Sequence, residues 1–194
     1  MRRKLLRMID CFAVLGIERR PVVPESVLQL AYHEKSKSLH PDRAEGGDFS
    51  SINGAFQIVS NPAARIQHLL KLEFGEAGDR QIGADLGVLF GTVVKVLGQA
   101  DEELGSISGQ SSPLLRAFAF QRLDTIREAL DDAEKQIATK ESELHSRIAA
   151  VDQIWLHDRR QCQKPLAQIA VDLTFVQKWL AQVHDRKIRL EELL

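Results

Sequence analysis

Leu39-His40-Pro41-Asp42-Arg43 is the stretch on which the reading of this chain turns. Pro41 fixes its own backbone and disfavours helical geometry in the residue before it, so a helix arriving from upstream stops at Leu39 or His40. Asp42 is a compact anion suited to a guanidinium on a partner. His40 offers two ring nitrogens for hydrogen bonds. A tripeptide alone says little, and its surroundings decide what it means. Upstream, Leu28, Ala31, Tyr32 and Leu39 mark an apolar stripe from Pro24 to Leu39, with Lys35 and Lys37 off its centre. Downstream, Arg43 to Asp48 is a polar loop with two glycines, and Ile52, Ala55, Phe56 and Val59 then recur at helical spacing. The segment is a turn between two amphipathic helices.

Working outward, Asp10 suits the cap of a short helix carrying Phe12, Val14 and Leu15, which Gly16 ends. Pro21 and Pro24 set an extended connector. Asn61-Pro62 interrupts the helix that follows the loop, and Ile66, Leu69 and Leu70 resume it. Residues 75 to 84 hold Gly75, Gly78 and Gly83 and read as a linker. The second half begins with an apolar helix from Leu86 to Leu104, weakened by Gly87, Gly91 and Gly98. Gly105 to Ser112 reads as a loop, and Ser112-Pro113 as a cap with a good first residue. Leu123, Ile126, Leu130, Ala133, Ile137, Leu144, Val151 and Ile154 then fall on a 3-4 repeat, interrupted at Lys140 and Arg147. Pro165 opens a last helix with Leu166, Ile169, Leu173, Val176, Leu180, Val183, Leu190 and Leu194 on the same repeat, broken at Lys187. Two long helices joined by a polar turn, His157 to Lys164, should pack antiparallel, and the helix from Leu86 can close a three-helix bundle. The expected fold is all-α, with an N-terminal helical-hairpin domain over 1–75 and a C-terminal three-helix bundle over 84–194.

Composition narrows the function classes. The 194 residues are 44% hydrophobic and 27% charged, normal for a globular protein that forms its core without staples. The net charge of -1 points neither to nucleic acid nor to a membrane surface. Residues 1–75 carry 11 basic against 8 acidic side chains, so a mildly basic front precedes an acidic remainder. Cys11 and Cys162 are too few for a disulfide framework or a zinc site and read as inert thiols in a reducing compartment. Met1 to Ile9 is basic but lacks the long apolar stretch and cleavage site of a secretory signal, which leaves the cytoplasm as the expected location. No metal-ligand set, Gly-rich phosphate loop or nucleophile-base set stands out, so neither a cofactor nor an enzyme is expected. His68, His145, His157 and His184 read as surface or boundary residues, and Trp155 and Trp179 as core or bundle edge.

The whole arrangement resembles a J-domain. The matching pieces are Asp10-Cys11-Phe12 with Leu15-Gly16, then Leu28, Ala31 and Tyr32, then His40-Pro41-Asp42, then Ile52-Asn53-Gly54-Ala55-Phe56. Asn61-Pro62-Ala63-Ala64-Arg65 followed by Leu69-Leu70 is similar to HscB, the J-protein of iron–sulfur cluster assembly. So is Thr174-Phe175-Val176-Gln177-Lys178-Trp179-Leu180 in the last helix. The resemblance implies that His40, Pro41 and Asp42 engage the ATPase domain of a DnaK/HscA-type chaperone and bias it toward hydrolysis, a coupling between states rather than chemistry by this chain. Tyr32, Lys35, Lys37 and Arg43 would complete the docking face, with positive charge that salt weakens. Glu34, Ser36, Ser38 and Leu39 depart from the more basic pattern of J-domains, where a Tyr is usual at the last of these.

In HscB the C-terminal bundle holds the cluster scaffold protein with an apolar patch flanked by acids. Phe175 matches the Phe of that patch, and Leu89, Phe90 and Val93 lie where the family has its other apolar contacts. The family's Glu-rich pattern is missing there, and Gly87 and Gly91 stand nearby instead. Structural packing explains the same four residues equally well. Two other readings stay open: a J-protein with a different client, and a helical adaptor with a degenerate J-domain. The last-helix repeat also fits a dimer seam as well as an intramolecular bundle.

Overall fold

The computed structural model describes residues 9–38, 49–75, 83, 84, 86–107 and 113–192, and every regular element among them is an α-helix. They are α1 (Cys11–Leu15), α2 (Glu25–Ser38), α3 (Phe49–Ser60), α4 (Pro62–Phe74), α5 (Leu86–Ile107), α6 (Pro113–Trp155) and α7 (Arg159–Glu191). The chain divides into two compact units, one of Met1–Arg80 with Ser146–Val171, the other of Gln81–His145 with Asp172–Leu194. The first unit therefore takes in the end of α6 and the start of α7, a stretch the sequence reading placed in the C-terminal bundle.

Local chemistry sets the helix ends of the first unit. The Asp10 carboxylate accepts from the amides of Phe12 and Ala13, and Gly16 closes α1 in the left-handed region at φ 72°. Asn61 caps α4 by accepting from the Ala64 amide at 2.9 Å, with Pro62 at the first helical position, where its missing N–H costs nothing. α1 packs on α2 and α3, and α3 on α2 and α4, so α2 and α3 form the expected hairpin. Phe12, Leu15, Leu28, Ile52, Ala55, Val59, Ile66, Leu69 and Leu70 are buried here.

The second unit is the expected bundle. Phe90 of α5 meets Trp179 of α7 at 5.9 Å, and Asp101 of α5 pairs with Arg186 of α7 at 3.0 Å, so these two helices run parallel. Lys187 reaches back from α7 to Asp131 and Glu134 of α6, each at 2.6 Å, which explains a lysine in the apolar repeat. Arg122 of α6 pairs with Glu103 of α5. Val93, Leu123, Ile126, Leu130, Ile137, Val176 and Val183 fill the interior.

Four expectations are corrected. α5 runs through Gly105 to Ile107 rather than ending at Leu104. α7 starts at Arg159, not at Pro165, because Asp158 accepts from the amides of Arg160 and Gln161 at 3.0 and 3.2 Å and caps the helix six residues earlier. Trp179, rather than Leu180, is the buried member of its pair on α7. Beyond Leu144 the buried face of α6 continues through Ile148, Asp152 and Trp155, while Ile154 is 40% exposed. A strict seven-residue repeat lags a straight helix by about 20° per heptad, so over three heptads the lag reaches about 60°, more than half the 100° step between neighbours, and the next residue becomes the one facing inward.

Candidate functional site

Tyr32, Lys35 and Lys37 all lie on α2. The Tyr32 ring packs on Phe56 of α3 at 4.5 Å, and its hydroxyl meets the Asn53 side-chain oxygen at 3.3 Å. It is thus a strut between the two helices of the hairpin. Lys35 continues the Leu28–Tyr32 face rather than standing off it, and its stem crosses Gly16, where an added Cβ would come within 3.3 Å of Cε. That places an ammonium over the carbonyl end of α1. Lys37 is exposed, as are Val27 (46%) and Leu30 (60%), so the outer face of α2 is partly apolar. His40, Pro41, Asp42 and Arg43 lie outside the described residues.

At the base of the hairpin the chain is tied by groups the sequence reading did not single out. Arg65 projects inward from α4 and is only 6% exposed. Its Nε donates to the Pro21 carbonyl at 2.9 Å and its Nη1 to the Val59 carbonyl at 2.8 Å, joining the connector before α2 to the end of α3. Burial pushes the guanidinium down to about 10, against the opposing pull of Asp152. Asp152, on α6, is 2% exposed. It forms an ion pair with Arg20 and accepts from the Val22 amide at 3.1 Å. The Trp155 indole donates to the Arg19 carbonyl at 3.1 Å, meets Phe74 edge-on at 6.3 Å and lies under the Arg159 guanidinium. Arg19 itself bridges Asp10 and Glu73, and Glu73 also takes Arg159.

His68, expected at the surface or boundary, is buried. It is 9% exposed, stacks on Phe12 at 6.0 Å, and its Nε2 accepts from the Cys11 amide at 3.1 Å. An accepting nitrogen carries no proton, and burial lowers the pKa in keeping with a neutral ring. Its place on the same helical face as Arg65 and Leu69 was the available signal. His145, His157 and His184 are exposed as expected. Burial pushes the Cys11 and Cys162 thiols up, and both cysteines are free.

The four residues of the second patch separate. Val93 is fully buried and belongs to the bundle interior, a correction to its grouping with the client-facing residues. Phe90 is 45% exposed, and Leu89 and Phe175 are half-buried. Phe175 stands 6.0 Å from Trp179, so Phe90 and Phe175 flank one buried indole. Val88 and Val94 extend the apolar surface along α5. A shallow groove between α5 and α6 is lined by Val88, Leu89, Gln136, Thr139, Lys140 and Glu143. Among the described residues no group of three His, Cys, Asp or Glu side chains could hold a metal ion, and no helix is long and apolar enough to cross a membrane.

No family model matches the chain. Among curated proteins it is 34% identical over 79 residues to the co-chaperone protein HscB homolog of Aromatoleum aromaticum, covering 36% of this chain and 45% of that one. It is 31% identical over 75 residues to the co-chaperone protein HscB of Proteus mirabilis, covering 34% and 43%. It is also 34% identical over 79 residues to the chaperone protein DnaJ of Thermosynechococcus vestitus, covering 39% and 20%. The matches to these relatives span less than half of their length. Among solved structures, the Jac1 co-chaperone from Saccharomyces cerevisiae superposes with a TM-score of 0.50 at 19% identity, over 87% of this chain and 85% of that one. That likeness concerns the fold. Over the 75 to 79 matched residues the chain is similar to HscB-type and DnaJ chaperone proteins.

Proposed function

We propose that this chain is a co-chaperone that stimulates ATP hydrolysis by a DnaK/HscA-type chaperone and brings it an iron–sulfur cluster scaffold protein. The observation that carries the reading is the α2–α3 hairpin, braced by Tyr32 and Phe56, whose connecting segment contains His40-Pro41-Asp42. Pro41 restricts the backbone of that segment and Asp42 supplies a charge for a partner guanidinium, so docking favours the hydrolysis-competent state of the partner. Lys37 and Arg43 add steering charge. Tyr32 and Lys35 work from inside, holding α2 on α3 and over α1.

The scaffold would sit on the half-exposed surface of Leu89, Phe90 and Phe175, with Val93 supporting it from the interior. A different client is favoured by one observation. Val88, 82% exposed, and Val94, 51% exposed, widen the apolar surface along α5 where the family has its Glu-rich pattern.

Steady-state ATP hydrolysis by the cognate DnaK-type chaperone should rise when this protein is added, and Asp42→Asn should abolish the rise. A folded wild-type chain that stimulates no cognate chaperone would discard the proposal. For the client, a pull-down that retains the scaffold protein and loses it with Phe175→Ala excludes the second version.

A further inference from the structure

The two carbonyls that Arg65 holds, Pro21 and Val59, mark the open end of the α2–α3 hairpin, opposite the connecting segment of residues 39–48. The connector into α2 is fastened residue by residue. Arg19 gives its carbonyl to Trp155, Arg20 its side chain to Asp152, Pro21 its carbonyl to Arg65, and Val22 its amide to Asp152. Two of these fasteners, Asp152 and Trp155, come from the end of α6, more than a hundred residues further along the chain. Asp152 is also the carboxylate whose charge acts on the buried Arg65.

We propose that Asp152 is a positioning residue for the stimulatory segment: the end of α6 completes the J-type fold by clamping the base of the hairpin, and so sets the pitch of α2. The leverage is large. α2 has 14 residues and is about 21 Å long at 1.5 Å per residue, so a tilt of about 5° at its base moves its far end by about 2 Å. Docking constellations tolerate errors of about 0.5 Å. Removing the Asp152 charge leaves Arg20 without its anion, weakens the acceptor for the Val22 amide and takes away the negative charge that acts on the buried Arg65.

The proposal rests on the co-chaperone reading, and its test uses the full chain with two separate readouts. Asp152→Asn keeps the shape and removes the charge, while Arg20→Ala removes one arm and leaves Asp152 with Val22. In both, amide exchange over residues 20–38 should quicken by about tenfold while the α5–α7 amides of the second unit stay as in wild type. Maximal ATPase stimulation should fall by about threefold or more, with the half-saturating concentration changed by less than about twofold, since the docking side chains remain. Unchanged exchange over 20–38 in a folded Asp152→Asn chain overturns the proposal whatever the ATPase does. So does quickened exchange with full maximal stimulation. A wild-type chain that stimulates nothing overturns the co-chaperone reading instead, and the clamp is then judged on exchange alone.

Discussion

Ile154 and Trp155 are neighbours at the end of α6, and they separate two accounts of how that helix packs. A strict 3-4 repeat turns Ile154 inward, whereas the structure leaves it 40% exposed and buries Trp155 to 1%. Trp155→Ala should cost about 3–5 kcal/mol for the lost side chain and its cavity. The Arg19 carbonyl, stripped of its indole donor, adds about 1 kcal/mol. The sum, about 5 kcal/mol, is a large share of a domain's stability. Ile154→Ala removes atoms already partly in water and should cost less than about 1 kcal/mol. With a urea dependence of about 2 kcal/mol per molar, the midpoint drops by about 2.5 M for the first and under about 0.5 M for the second. Urea titration followed by helix circular dichroism reads both. If Trp155→Ala is too unstable to purify, Trp155→Phe should still lose about 2 kcal/mol through the missing N–H and the smaller ring. Equal losses at the two positions, or the larger loss at Ile154, would refute the packing described here.

Two further outcomes follow from single contacts. His68 is held neutral in the folded chain, with its pKa below the ordinary 6.5. Above that pH both states are neutral and stability is whole. As pH falls through 6.5 the unfolded chain takes the proton first, and stability drains by up to about 1.4 kcal/mol per pH unit until the folded ring also titrates. Denaturant titrations between pH 7 and 5 should show this slope in wild type and a flatter one in His68→Gln, and parallel curves would remove the assignment. Asp158→Ala should cost about 1 kcal/mol and speed amide exchange over 159–164, because the first turn of α7 then lacks its cap ahead of Pro165. Unchanged exchange there would show that the cap does not set the start of α7.

What the sequence revealed follows the reach of each signal. Caps and breakers act within a turn, so Asp10, Gly16, Asn61-Pro62 and Pro113 placed their helix ends correctly. Pro165 misled because a proline near a helix start resembles the start itself, and the competing signal at Asp158 was passed over. The repeat along α6 was legible until drift accumulated. His40, Pro41 and Asp42 stood out by pattern and lie outside the described residues; on the helices that flank them the structure shows Tyr32 packed on Phe56 and meeting Asn53. The clamp was not legible, because Arg20 and Asp152 are separated by 132 positions and neither carries a local mark. Arg65 stood out only as part of a family-like segment, and its job required knowing that Pro21 and Val59 lie within reach. Val93 was grouped with Leu89 and Phe90 on the family resemblance; it lies within about 60° of both around α5, but at the centre of the inward face where they lie at its edges.

The spacing of Ile148, Asp152 and Trp155 on the buried face of α6 also restricts how the stretch between Ile148 and Asp152 could change length during evolution. Loss of a single residue there turns everything beyond by about 100°. Asp152 and Trp155 would swing away from the connector, stranding Arg20 and the Arg19 carbonyl. A gain or loss of eleven residues, three turns to within about 20°, restores the facing with little rotation. Viable homologues should therefore differ in this arm by whole-turn steps and not by one or two residues.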